Sequence, residues 1–420
     1  MREVSFWPTS LEDRLPQCFD SAFSLVSLFF IRTKYSTLNF PRKMPHRFPL
    51  FAAAMILAPS LCTASPAPKF QVTETKIISH QPEYFHGWPT VALRKNGELM
   101  VAYSGGREDH VCPFGRIEVM TSRDEGKTWS WPRVIMDSAT DDRDGGLLET
   151  DKGTLIVAFF TSVAYKQHLN NPERRINRMF GNDAGSHIER SRRAELRLSD
   201  EDQKADVGYW LLRSTDGGMT WSERLPIAFY SPHGPTQMAD GRLFYAGADG
   251  KTLGAWISKD DGITWDRVAE IPGRAGETHG LEAADGTLIV QVRDKVAPPG
   301  GGDKRWATLQ TESKDGGKTW TPSREIVAGF PSHLLKLKNN DLLMTYGVRK
   351  EPFGIRAKLS KDNGQTWSDE MILTQDAATE DMGYPSTVQL ADGSLLTVWY
   401  EVPANSIKAQ LRQAKWKIEP

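Results

Sequence analysis

Five near-copies of one eight-residue segment constrain this chain more than any other feature. "SRDEGKTW" begins at Ser122, "STDGGMTW" at Ser214, "SKDDGITW" at Ser258, "SKDGGKTW" at Ser313 and "SKDNGQTW" at Ser360. The five serines stand 92, 44, 55 and 47 residues apart. The first interval is close to twice the shorter ones, so the unit is about 45 residues long. In each copy the short polar Ser and Asp suit bonding to backbone within a turn, Gly suits a positive φ, and Trp suits packing back between strands. The box therefore reads as a structural staple and not as a catalytic group written five times.

A second signal runs in phase with the first. Asn96-Gly97, Asp151-Lys152-Gly153, Asp240-Gly241, Asp285-Gly286, Asn340-Asp341 and Asp392-Gly393 are turn sequences, most of them followed by an apolar strand such as "TLIVAFF", "TLIVQVR" or "SLLTVWY". Six hairpins imply six units, each reading strand, turn, strand, loop, strand, box, strand, which makes a four-stranded antiparallel sheet. Such sheets cannot bury both faces alone, and stacking them radially solves the problem. The expected fold is all-β: a six-bladed β-propeller with Asp-box repeats over residues 65–420. The last unit lacks a box, and the early segment "KFQVTETKII" (69–78) is expected to supply a strand to it and close the ring. Residues 165–206 interrupt the second blade between its second and third strands. They are highly charged and read as partly helical, either a wall over one face or a solvated excursion.

The first 64 residues read as an extension and a leader. Arg42, Lys43 and Arg47 flank the start of an apolar run, Phe48 to Leu61, which gives way to "CTASPAP" with cleavage expected near Ala64. Basic, then apolar, then small is the order of a secretory signal, and the run is shorter than the roughly 20 residues that span a bilayer. The mature chain is expected to be periplasmic or extracellular, without stable membrane insertion. Cys18 and Cys62 precede the cut, so Cys112 remains alone and no internal disulfide is expected. With 52 basic and 53 acidic residues there is no overall field to attract nucleic acid. A substrate recognised locally is the better fit.

In a propeller the starting ends of the first strands and the loops after the second strands share one rim. The starts are His86, Gly87 and Trp88; Arg143 and Asp144; His233; Glu277 and His279; His333; and Tyr384. The loops add Arg107 to His110 in "GGREDHV", Arg293 in "VRD", and Arg349 with Arg356 in "YGVRKEPFGIR". Guanidinium groups gathered at one end of a channel suit a carboxylate, because each planar fork binds two oxygens at once.

These residues resemble the bacterial sialidase (neuraminidase) superfamily of BNR-repeat proteins, over essentially all of residues 70–416. "ETHGLEAADGTLIVQVR" is similar to the segment that holds the family's glutamate and second arginine, here Glu277 and Arg293. "GIRAKLSKDNGQTW" carries Arg356 at the third-arginine position, and "GYPSTVQLADG" puts Tyr384 where the nucleophile belongs. The resemblance implies a tyrosine nucleophile assisted by the glutamate, an exception among glycosidases. A neutral phenol is not repelled by the substrate carboxylate, as an anionic nucleophile would be. Two parts depart from the pattern. Gly87 in "HGWP" replaces the first arginine, with Arg107 or Arg143 available to stand in. The acid is either Asp109 or His110.

The expected activity is thus an exported sialidase-like glycoside hydrolase that removes a terminal acidic sugar from a glycan. Tyr384, Glu277 and Asp109 or His110 would be catalytic. Arg293, Arg356, Arg107, Arg143, Arg349 and His279 would bind substrate, with no metal and no cofactor. The alternatives are a hydrolase or lyase for another acidic glycan with a histidine-centred site, and a propeller that only binds glycan.

Overall fold

The computed structural model describes residues 65–297 and 301–419. The extension and signal peptide expected over 1–64 lie outside the described residues. Among the described residues, twenty-four strands form six four-stranded antiparallel sheets arranged in a ring, a six-bladed β-propeller. The innermost strands of blades 1 to 6 are Phe85–Leu93, Asp141–Glu149, Thr236–Gln237, Thr278–Glu282, Ser332–Lys336 and Met382–Gln389. Blade 6 borrows its outermost strand, Phe70–Ile77, from the start of the described chain; it runs antiparallel to Gln410–Ile418, with Phe70 opposite Ile418 and Ile77 opposite Arg412. This joint between the two ends of the propeller is the closure expected from "KFQVTETKII".

The core is six apolar wedges, one between each neighbouring pair of blades. Strand periodicity builds them. In blade 2, Leu155, Val157 and Phe159 face Met100, Ala102 and Val119 of blade 1, while Ile156 and Ala158 face Leu243 and Tyr245 of blade 3. A side-chain period of two thus gives every blade two buried faces. The wedge between blades 6 and 1, which includes Val101, Trp129, Val398 and Leu411, completes the ring.

Each Asp box is a closed hydrogen-bond circuit. In the copy at Ser313 the serine Oγ donates to Asp315 Oδ1 at 2.8 Å and accepts from Gly317 N at 2.9 Å; Asp315 also accepts from the backbone N (2.9 Å) and hydroxyl (2.6 Å) of Thr319. The other four copies repeat these bonds. The boxes are staples, as their composition implies.

The insertion in blade 2 is helical, with helices Tyr165–Asn170, Ile176–Phe180, Ala184–Glu195 and Asp200–Asp206. Its own small core of Tyr165, Leu169, Ile176 and Ala184 closes over Val111 of the blade 1 loop. Polar contacts reinforce the seat. Arg190 and His187 bind Glu108, and Lys408 of blade 6 reaches the Glu108 carbonyl. The segment is a docked wall and not a solvated excursion.

Candidate active site

One backbone device is repeated on blades 6, 1 and 2. In each innermost strand the register slips so that two residues oppose one: pairing jumps from Gly383 to Ser386, from Gly87 to Thr90 and from Arg143 to Gly146. The first skipped residue has a positive φ in every case, 52° at Tyr384, 55° at Trp88 and 65° at Asp144. Left-handed backbone at a bulky or β-bulged residue is strained, and it re-aims the side chain relative to the strand. Proline follows in "GWP" and "GYP", where the absent N–H costs no ladder bond. That shared signature marked equivalent sites on neighbouring blades.

Tyr384 and Glu277 form the centre. The Tyr384 hydroxyl donates to Glu277 Oε1 at 2.5 Å, and Arg293 Nη1 donates to Glu277 Oε2 at 2.8 Å. Burial would raise the Glu277 carboxyl, but the Arg293 charge, the Tyr384 hydrogen bond and the Arg349 charge prevail and hold it below its usual range. Burial and the Glu277 charge push the Tyr384 phenol well above its usual value. The pair is therefore an ionised carboxylate bonded to a neutral phenol.

Arg293 and Arg349 act on this pair, and a third guanidinium, that of Arg143, lies on the neighbouring Trp88. Arg293 lies against the rings of Trp306 (4.6 Å) and Phe330 (4.5 Å), Arg349 against Phe330 (5.4 Å) and Tyr384 (5.8 Å), and Arg143 against Trp88 (4.6 Å). Each keeps buried nitrogen atoms with no hydrogen-bond partner among the described residues: Nε of Arg293, Nε and Nη2 of Arg349, and Nε and Nη1 of Arg143. Buried donors without acceptors are costly, so a site holding several is suited to an anion.

The other expected arginines are occupied. Arg107 is fully buried and forks onto Asp141 at 2.5 and 3.0 Å, with its remaining donors on Ser104 Oγ and the carbonyls of Asp109, His110 and Asp142. Its role is to fix the blade 1 loop to blade 2. Arg356 is likewise buried, with its guanidinium on the carbonyls of Pro352, Ile355 and Thr374. The arginine that reaches Tyr384 from blade 5 is Arg349, seven positions earlier in the same hairpin.

Asp109 also differs from the expectation. Its carboxylate is 1% exposed and makes two bonds of 3.1 Å to Arg175 of the insertion. Burial opposes ionisation, yet the Arg175 charge holds the carboxyl below its usual range, so it anchors the wall. His110 stays at the site, edge-on to Trp88 at 4.8 Å, with Nδ1 3.2 Å from Asp381 Oδ2. Burial lowers its pKa despite the Asp381 carboxylate, with Arg143 and Arg175 adding to the depression. Asp381 accepts a second bond from Tyr400 at 2.8 Å. Asp381 and Tyr400 were missed by sequence reasoning; only the nearness of Asp381 to Tyr384 in "EDMGY" pointed there.

His279 belongs to a separate group. It stacks on His333 at 4.5 Å and accepts from Leu334 N at 2.9 Å through Nδ1, while the ring near Tyr384 is that of His233, at 6.2 Å. Burial drives His233 down to about 3, so the cluster is neutral at ordinary pH. Among the described residues no group of His, Cys, Asp or Glu is arranged to hold a metal ion. A cavity of about 540 Å³ lies elsewhere on blade 1, lined by residues such as Tyr84, Phe114, Arg116 and Arg197 and by none of the Tyr384 cluster.

Comparison with known proteins agrees with this architecture. The BNR repeat-like domain family matches residues 195–397, which contain four of the five boxes. A sialidase of Bacteroides fragilis is 28% identical over 220 residues, 46% of this chain and 39% of that protein. Among solved structures, a protein of unknown function from Dyadobacter fermentans has a TM-score of 0.66 at 24% identity, covering 84% of this chain and all of that one. The NanB sialidase of Streptococcus pneumoniae has a TM-score of 0.58 at 14% identity, covering 83% of this chain and 70% of that one. Repeat, propeller and match converge: residues 195–397 carry a BNR repeat-like domain, and the six-bladed propeller around it is a fold shared with sialidases.

Proposed function

We propose that this protein is an exported sialidase-like glycoside hydrolase that removes a terminal acidic sugar from glycans. The observation that carries the reading is the Tyr384–Glu277–Arg293 chain ringed by guanidinium donors that lack partners. Arg293, Arg349 and Arg143 hold the sugar carboxylate, with Arg143 of blade 2 standing in for the arginine that Gly87 replaces on blade 1. Tyr384 attacks the anomeric carbon as Glu277 takes the phenolic proton, which spares the carboxylate-bearing substrate an anionic nucleophile.

The test is hydrolysis by the purified protein of a panel of fluorogenic acidic glycosides, a sialoside and several uronides, beside Tyr384→Phe. Sialoside turnover that the variant abolishes supports the reading in full. Turnover of a uronide alone favours the second reading, another acidic glycan at a histidine-centred site, for which the His110–Asp381 pair speaks. Inactivity across the panel, with retained glycan binding, points to a binding propeller.

A further inference from the structure

Occupation of Asp109 by Arg175 leaves the reaction proposed above without the proton donor expected from the blade 1 loop. His110 is a poor replacement, since burial and the neighbouring guanidiniums keep its imidazole deprotonated at neutral pH. We propose that Asp144, at the bulge of blade 2, donates the proton to the leaving group; this rests on the glycosidase reading of the Tyr384 site.

The placement is geometric. Asp144 occupies on blade 2 the bulge position that Tyr384 holds on blade 6 and Trp88 on blade 1, with the same two-against-one register and the same positive φ. The side chains at the other two positions both join the site cluster: Tyr384 meets Glu277, and Trp88 carries Arg143 on its face. Asp144 is 5% exposed, its Oδ2 accepts from the Tyr230 hydroxyl at 3.0 Å, and Oδ1 has no hydrogen bond from a described residue. Its neighbour Arg143 belongs to the carboxylate ring. The charged and titratable groups that act on Asp144 are Arg143, Glu277, Tyr230 and Arg107. Burial raises its carboxyl to about 7, with the Glu277 charge helping and Arg143, Tyr230 and Arg107 opposing. A group balanced there is protonated in a usable fraction at neutral pH and can be reprotonated between turnovers.

The step balances without a further reagent. The Tyr384 oxygen bonds to the anomeric carbon while its proton passes to Glu277; the glycosidic C–O bond breaks and the leaving oxygen takes the Asp144 proton. Water then attacks the same carbon, gives its proton to the Asp144 carboxylate, and Tyr384 departs with the proton held by Glu277.

The experiment compares Asp144→Asn with Asp109→Asn on two substrates that share one acidic sugar, one with an alcohol leaving group and one with dinitrophenolate, which needs no proton. Asparagine keeps the acceptor for Tyr230 and tolerates the left-handed backbone. The expected result is that Asp144→Asn lowers kcat/KM about 10²–10⁴-fold on the alcohol glycoside and about tenfold or less on the activated one. Asp109→Asn should show no such dependence. A companion variant, Tyr230→Phe, removes a bond that favours ionised Asp144 and should move the alkaline limb of kcat/KM to higher pH. Equal losses by Asp144→Asn on both substrates, or the leaving-group dependence appearing in Asp109→Asn instead, would overturn the assignment while leaving the glycosidase reading intact. A wild-type protein that cleaves neither substrate overturns both.

Discussion

Replacing Arg175 by methionine tests the claim that the wall is pinned to the blade 1 loop by a buried ion pair. The pair is bidentate, both bonds are 3.1 Å, and the side chains of Arg175 and Asp109 are 9% and 1% exposed. At an effective dielectric near 20 the Coulomb attraction at that distance is about 5 kcal/mol. Desolvation offsets much of it in the intact pair, but removing one partner leaves a carboxylate buried without compensation, which typically costs about 3–5 kcal/mol. Against a total stability of about 5–15 kcal/mol, that loss is large. Urea unfolding of wild type, Arg175→Met, Asp109→Asn and the double variant isolates the coupling from the other contacts of Arg175. The double variant should recover about 2–3 kcal/mol relative to the sum of the singles. A coupling below about 0.5 kcal/mol would refute the reasoning, because it would mean that the carboxylate is solvated or re-paired once the arginine is gone.

Three further outcomes are expected. Arg349→Leu should raise KM for an acidic glycoside about 10–100-fold, the worth of a charge-assisted contact, whereas Arg356→Leu should lower thermal stability with little change in KM. The acid limb of kcat/KM should fall below the ordinary glutamate value of 4.5, since Glu277 must be ionised to accept the phenolic proton and its pKa is lowered; a limb above 4.5 would contradict this. Asp124, held near 2 chiefly by the Thr128 hydroxyl and amide, has a folded pKa below its unfolded value of 3.8, so its contribution to stability is complete above about 3.8 and lost as pH falls toward 2. Thermal melts across that window should show a shallower acid-side decline for Asp124→Asn than for wild type.

The propeller was legible in the sequence because its staples are local. A box closes its circuit within eight residues, and an Asp-Gly turn needs only its own backbone, so neither depends on partners far along the chain. That Tyr384, Glu277 and Arg293 come together was readable for the same reason: each sits at a fixed offset from such a turn. Long-range pairing was not readable. Nothing near "GGREDHV" tells that Asp109 meets Arg175, 66 residues away, because the wall that carries Arg175 has no repeat to index it. Arg349 and Arg356 lie in one hairpin, and choosing between them requires knowing which guanidinium finds carbonyls in its own blade, as Arg356 does with Pro352, Ile355 and Thr374.

The departure at Gly87 acquires a physical reason from the bulges. An added Cβ at Gly87 would meet the Phe85 ring at 2.9 Å, so a side chain there would have to displace a fully buried phenylalanine. The same turn aims Trp88 at the site, where its face carries Arg143 and the His110 ring packs perpendicular to it. Blade 1 thus contributes an aromatic platform in place of a charge, and the charge arrives from blade 2 on top of it. An arginine delivered in this way is held by stacking and by the Asp141 carboxylate, 3.8 Å from its Nη1, while its Nε keeps no hydrogen-bond partner among the described residues. Restoring an arginine at position 87 would then crowd the platform that holds Arg143, and should weaken binding of an acidic sugar where a simple count of positive charges would have it strengthened.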